Sequence, residues 1–213
     1  MELLSLFSKT APIDANKPGS HPALIFLHGR GTDEDDLLGL TPYFDPHFLI
    51  ASVRAPYRFQ YGGYTWFDVD EKGTANIDQL LNSRGSFFRW LDDFQQKYPV
   101  DTSRLFLFGF SMGAMMSLTI SLSNPKRFKG IIAHSGLLPQ HEQLSYLWNN
   151  IGGLSFFIAH GSQDPIVPVE LGRQAHARLA QANADVLYRE YPIQHAISDE
   201  SLSDISIWLQ KQI

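Results

Sequence analysis

The chain has 213 residues, 44% of them hydrophobic and 18% charged, with a formal charge of −5 and no cysteine. That length suits a single domain spanning 1–213, since one core grows to about 250 residues before a chain splits. The composition excludes disulfides, thiolate metal sites and a cysteine nucleophile, and the acidic balance without a dense basic cluster argues against nucleic acid or an anionic membrane as partner.

The first residues, Met1-Glu2-Leu3-Leu4-Ser5, offer neither a basic region nor a long apolar stretch, so no signal peptide is read there. No apolar run reaches the roughly 20 residues of a membrane span, and a soluble cytoplasmic protein is expected. Ala23 to Leu27 is an unbroken apolar run bounded by proline and glycine, which reads as a strand buried on both faces. Phe48 to Val53, Leu105 to Phe110, Ile131 to Ala133 and Leu154 to Ala159 have the same character, and Val186 to Tyr191 is a more alternating strand. Between them lie helical stripes. Phe87, Leu91, Phe94 and Tyr98 share a face, and Pro99 ends that helix. Leu171, Ala175, Leu179 and Ala182 form a second stripe, and Leu202, Ile205 and Leu209 a third. Strands alternating with helices predict an α/β fold with a mainly parallel central sheet and helices on both faces. In such sheets, sites form at the carboxyl ends of the strands.

One strand end carries a motif. Leu105 to Phe110 runs into Gly109-Phe110-Ser111-Met112-Gly113, followed by the nearly all-apolar Ala114 to Ile120, with Asn124-Pro125 as its stop. Gly-x-Ser-x-Gly alone is expected by chance about 0.1 times in a chain of this length. Between a buried strand and a buried helix it has the setting of a nucleophile elbow, a tight turn that lifts a serine hydroxyl clear of the backbone. Glycines are needed there because neighbouring elements crowd the turn. Ser111 is the candidate nucleophile.

A serine hydroxyl needs a base to take its proton as it attacks, and behind such elbows the chain order is Ser, then Asp or Glu, then His. Three histidines lie well downstream with an acid between. His160 belongs to a strand end and His176 to a helical stripe. His195 follows the last strand, in Tyr191-Pro192-Ile193-Gln194-His195-Ala196, and is the candidate base. Asp164 is the first carboxylate after the strand ending at Ala159. Glu170 and Asp185 flank a helix and Glu190 lies inside a strand, so Asp164 is the candidate acid, holding the His195 tautomer without taking its proton.

A tetrahedral intermediate also needs N–H groups aimed at its oxyanion. Met112, after the nucleophile, supplies one, and Arg30, in the glycine-flanked Leu27-His28-Gly29-Arg30-Gly31-Thr32 loop, is assigned the other. Trp66, Phe67, Leu137, Leu138 and Val167 fall near strand ends and are candidates to line a substrate pocket, although such residues are as often plain core. Asp33-Glu34-Asp35-Asp36 lacks the glycine and terminal glutamate of a calcium loop and is read as the acidic first turn of a helix. No metal-ligand spacing appears, and no metal or other cofactor is expected.

Together these residues resemble the phospholipase/carboxylesterase family, which includes acyl-protein thioesterases and small bacterial serine esterases. The match runs nearly the whole chain: Leu27-His28-Gly29-Arg30-Gly31, Arg54-Ala55-Pro56, Trp66-Phe67-Asp68, Asp101-Thr102-Ser103-Arg104, the serine motif, His160-Gly161-Ser162-Gln163-Asp164-Pro165-Ile166-Val167-Pro168 and His195. The resemblance implies an α/β-hydrolase fold with little or no cap domain, a carboxylesterase or thioesterase acting on a small-molecule ester, and often a homodimer. Two positions depart. Gln194 stands where the family usually has glycine, and Met112 where the thioesterases often have glutamine. The backbone N–H of Met112 survives the change while its apolar side chain alters the pocket wall, so a carboxylesterase for short to medium acyl chains is expected. An acyl-protein thioesterase or lysophospholipase is the alternative. A non-catalytic binding protein of this fold would be expected to lose a triad member, a peptidase to carry a gating domain, and a dienelactone-type hydrolase to have cysteine at position 111.

Overall fold

The computed structural model describes residues 6–10, 20–71 and 73–213. Met1 to Ser5, read above for a signal peptide, lies outside them. The chain runs through β1 (Ser8–Thr10), β2 (His21–Leu27), β3 (Leu49–Val53), the short strands β4 (Tyr57–Arg58) and β5 (Tyr64–Thr65), helix α1 (Ile77–Lys97) and β6 (Val100–Phe110). It continues through α2 (Met112–Ser123), β7 (Gly130–His134), β8 (Ser155–Gly161), α3 (Val169–Gln181), β9 (Asp185–Tyr191) and α4 (Asp199–Gln210). Seven strands form one sheet in the order β1-β3-β2-β6-β7-β8-β9. Only β1 is antiparallel to its neighbour, and β4 and β5 pair as a separate hairpin.

The unbroken apolar runs arise because both sheet faces are covered. Along β2, Ala23, Ile25 and Leu27 face a core built with Leu80, Phe87, Leu91 and Phe94 of α1, the apolar face of α2, and Ala175 and Leu179 of α3. Leu24 and Phe26 point the other way, to Leu202, Ile205, Trp208 and Leu209 of α4, with Leu37 and Phe44 at one end. All seven β2 residues are buried. An alternating strand can afford a polar face only where water reaches it, as in the edge strand β9.

Helix boundaries follow local chemistry. The Asn76 side chain accepts the Gln79 N–H and caps α1, Lys97 sits in its last turn, and Pro99 lies beyond. Ser198 and Ser201 form a reciprocal capping box at the start of α4. α1 begins ten residues before Phe87, the first residue of its apolar stripe, and its N-terminal half buries Asn82, Ser83 and Ser86, with Asn82 donating to the Tyr57 hydroxyl and Ser83 to the Trp66 carbonyl.

The acidic run corrects the sequence reading. The helix after it is a 3-10 turn, Leu37–Tyr43, with no acidic residue in its first turn. Glu34 is almost wholly buried and takes a two-pronged ion pair from Arg54, at 2.5 and 2.6 Å, while Asp35 pairs with Lys9. The Arg54 hydrogen bonds outweigh burial and hold the Glu34 carboxyl below its usual range. These carboxylates fasten the segment after β2 to β1 and the end of β3.

The parallel register aligns the strand ends. Leu27 pairs with Gly109, Phe110 with His134, His134 with Ala159, and Gly161 with Tyr191. The segments after β2, β6, β7, β8 and β9 therefore emerge on one rim. Just below it, His134 is fully buried between the Ser135 and Ser201 hydroxyls. Burial, then the nearby charges of His160 and His195, push its pKa down from 6.5 to about 3. The unfolded chain takes up this proton first, so the stability contribution is complete above about pH 6.5. It falls by up to about 1.4 kcal/mol per pH unit as pH drops from there toward 3. Urea unfolding at pH 7.5 and 5 is expected to show the acid loss in wild type and a smaller loss in His134→Asn. Equal losses would contradict this.

Candidate active site

β6 leads directly into the elbow. Ser111 has φ 55° and ψ −117°, a conformation unfavourable for a residue with a side chain and one that persists only when its surroundings hold it. They do. Its N–H donates to the His134 carbonyl at 2.9 Å, and its own carbonyl accepts from Ala114 and Met115 as α2 begins. The glycines answer to crowding. A Cβ on Gly113 would lie 1.8 Å from the Leu27 carbonyl oxygen, and one on Gly109 would lie 2.2 Å from the Gly113 carbonyl oxygen. β2, β6 and α2 meet backbone to backbone.

The segments after β8 and β9 bring the other two residues to this serine. His195 Nε2 lies 2.9 Å from Ser111 Oγ, and His195 Nδ1 lies 2.7 Å from Asp164 Oδ2. The Asp164 side chain is buried, and Oδ1 accepts the N–H groups of Ile166 and Val167, both at 2.9 Å. Burial alone would raise its pKa. The hydrogen bonds from His195, Val167 and Ile166 outweigh that and hold it below the usual value. An ionised Asp164 can only accept, so Nδ1 of His195 carries the hydrogen and Nε2 presents a lone pair to the serine hydroxyl. The imidazole packs on Phe110, with ring centroids 4.9 Å apart. His160 lies behind Asp164. Its Nε2 donates to the Val167 carbonyl at 2.8 Å and stands 3.6 Å from Asp164 Oδ2. Glu190, an alternative acid by position, is held instead by Arg173 and Tyr188.

Arg30 and Met112 both border the cavity beside Ser111. Neither backbone N–H donates to a protein acceptor among the described residues. The loop bearing Arg30 is tied down on all sides. Gly31 N–H donates to Tyr64 O, and Tyr64 N–H to Thr32 O, both at 2.8 Å. His28 is buried and its Nε2 accepts the Ala55 N–H at 3.0 Å, which fixes the hydrogen on Nδ1. That hydrogen goes to the Gly29 carbonyl at 2.7 Å, where Thr32 Oγ1 also donates. The Gly29 carbonyl and the Arg30 N–H belong to one planar trans peptide and point oppositely. Holding the carbonyl inward therefore turns the Arg30 N–H outward. Burial keeps the His28 pKa low, so the ring stays neutral. Nothing local in the sequence marks this role of His28, because its partner Ala55 lies 27 residues away.

The cavity beside Ser111 has a volume of about 410 Å³ and is mainly apolar. Phe67, Leu137 and Val167 line it. Trp66 does not. It is fully buried behind the wall, and its indole N–H donates to the His28 carbonyl at 3.0 Å, so it braces the Arg30 loop. Leu138 does not either, but faces a smaller neighbouring cavity. Both pairs lie in irregular segments after β5 and β7, where no sequence period tells which neighbour faces the cavity. Leu80, Met115 and Leu144 are among the further apolar lining residues that fall outside the sequence expectation. The Met112 sulfur, 3.2 Å from the Thr65 hydroxyl, is held against the wall.

A serine on a strained turn, a histidine presenting a lone pair to it, and two unpaired N–H groups beside an apolar cavity form an arrangement suited to acyl transfer. A family model described as Phospholipase/Carboxylesterase matches residues 9–213. The chain is 26% identical over 215 residues to acyl-protein thioesterase 1 of Candida albicans, covering 91% of this chain and 93% of that protein. It is 29% identical over 218 residues to acyl-protein thioesterase 1 of Mycosarcoma maydis, with 89% and 90% covered. The crystal structure of the Bacillus cereus carboxylesterase matches with a TM-score of 0.86 and 24% identity, over 98% of this chain and 95% of that one, a likeness of fold. The chain belongs to the phospholipase/carboxylesterase family of α/β-hydrolases and is a hydrolase.

Proposed function

We propose that the protein hydrolyses carboxylic esters of short to medium acyl chain through an acyl-enzyme on Ser111. The observation that carries this reading is the continuous relay from Asp164 through His195 to the Ser111 hydroxyl, with contacts of 2.7 and 2.9 Å. Ser111 Oγ attacks the ester carbonyl as its proton passes to His195 Nε2. The imidazolium is stabilised by Asp164, which keeps its charge. Negative charge developing on the carbonyl oxygen meets the N–H groups of Arg30 and Met112. Collapse breaks the bond to the alcohol, which takes the proton from His195. A water then attacks the acyl carbonyl by the same steps and releases the acid.

The acyl-protein thioesterase relatives favour a second reading. The chemistry is shared, and the two differ in leaving group and acyl length. The apolar lining and the bounded cavity support the smaller ester.

Ser111→Ala is expected to lower kcat on p-nitrophenyl butyrate by about 10⁴–10⁶-fold with the fold intact by circular dichroism. Retained turnover would remove Ser111 from the chemistry. His28→Ala is expected to lower kcat by roughly ten- to hundred-fold, part of the loss for a whole oxyanion donor, with KM little changed. A rise in KM alone would place His28 in ground-state binding instead. Across acyl lengths, kcat/KM is expected to rise by up to about 0.8 kcal/mol, or about four-fold, per methylene until the cavity is full. Leu144→Ala, which enlarges the cavity, is expected to move the optimum to longer chains. A steady rise to palmitoyl esters in wild type would favour the thioesterase reading.

A further inference from the structure

The cavity beside Ser111 has a neighbour. A second cavity of about 180 Å³ shares Gln140, His141 and Leu144 with it and is bordered also by Tyr146, Trp148 and Arg178. The two cavities thus adjoin along the segment after β7.

The smaller cavity differs in chemistry. The Arg178 guanidinium lies over the Trp148 ring, 4.2 Å from its centroid, a stacking that fixes the plane of the group. Among the described residues its one hydrogen bond is to the neutral Gln181 side chain, at 3.2 Å. No carboxylate pairs with it among the described residues, which leaves most of its five N–H donors unused. The His141 Nδ1 accepts the Gln143 N–H at 3.2 Å, so its Nε2 is a second donor among the residues the two cavities share. Although the chain carries a charge of −5, no aspartate or glutamate lines either cavity among the described residues.

Helix α3 sets the spacing. Leu171 borders the larger cavity and Arg178 the smaller. The two lie seven residues apart on one helix, on the same face and about 10 Å apart along the axis. A cation with unsatisfied donors therefore stands one short chain-length beyond the apolar chamber.

We propose that the smaller cavity is a subsite for a carboxylate or phosphate carried by the ester substrate, and that Arg178 selects for it. The proposal rests on the esterase reading above. The anion can sit at the far end of the acyl chain or on the leaving alcohol, and the two are separable by experiment.

Two matched pairs serve as probes. One is p-nitrophenyl hexanoate against the mono-p-nitrophenyl ester of hexanedioic acid. The other is phenyl hexanoate against the same ester bearing a para-phosphate. Wild type is expected to prefer the charged member of one pair by about ten-fold in kcat/KM, the scale of a charged hydrogen bond. Added salt should reduce that preference. The pair that shows it identifies the side carrying the anion. Arg178→Gln is expected to bring the ratio near one, and Arg178→Lys, which keeps the charge but not the planar fork, to retain part of it. The neutral ester in each pair is the internal reference, so a general loss of activity does not mimic the effect. No preference in either pair, or a preference unchanged in Arg178→Gln, overturns the subsite and leaves the esterase reading standing. Absence of turnover on all four esters overturns the esterase reading instead. Equilibrium dialysis of the charged esters against Ser111→Ala, with and without Arg178→Gln, then decides the subsite: binding lost with Arg178 supports it, and binding indifferent to Arg178 overturns it.

Discussion

Helix α2 approaches β2 so closely at Gly113 that a single Cβ would strike the Leu27 carbonyl oxygen. The geometry of the site follows from that approach. It forces the turn at Ser111 into a positive φ and points the hydroxyl off the end of the sheet. It also brings the first N–H of α2, from Met112, beside the loop that leaves β2. That N–H is one of the helix's unsatisfied donors in any case. The candidate groups that follow β2 and β6 converge because two backbones touch. The strain at Ser111 persists because His134 O, Ala114 and Met115 all bind its peptide groups.

Asp164 is buried yet ionised, since three donors satisfy it. His28 and His134 are buried and stay neutral. Only His195 changes charge during the proposed reaction, and it sits between a fixed anion and a hydroxyl. The rings of His28 and His134 work on the backbone. One turns the Arg30 peptide, and the other sits beneath the elbow, against Phe110 and Tyr191. The cavity beside Ser111 is an apolar chamber bordered by Arg30 and Met112, in keeping with the proposed reaction, which builds negative charge.

Much of this was legible in the sequence. Five of the six parallel strands announced themselves because burial on both faces leaves no polar positions to break the run, while the edge strand β9 showed as alternation. Ser111, Asp164 and His195 were legible because each follows such a run, in an order that the elbow constrains. What was hidden depended on contacts between distant residues. The first half of α1 buries serine and asparagine, so no apolar stripe marked it. The β4–β5 hairpin is two residues a side, too short for periodicity, yet it clamps the Arg30 loop. Trp66 and Phe67 are equally apolar neighbours, and only the direction of the chain puts one in the wall and the other behind it. The acidic run looked like a helix start because nothing local revealed that Arg54 would reach Glu34.

The central claim is that Ser111 is activated through His195 by a buried, ionised Asp164. The most direct measurement is the rate at which a fluorophosphonate labels Ser111, followed by peptide mass spectrometry across pH in wild type and Asp164→Asn. The account predicts a wild-type rate that falls in acid through one ionisation, as His195 gains a proton. It predicts a rate slower by roughly 10⁴-fold in Asp164→Asn, where the tautomer is lost. Labelling on another residue, or a rate indifferent to Asp164→Asn, would contradict it.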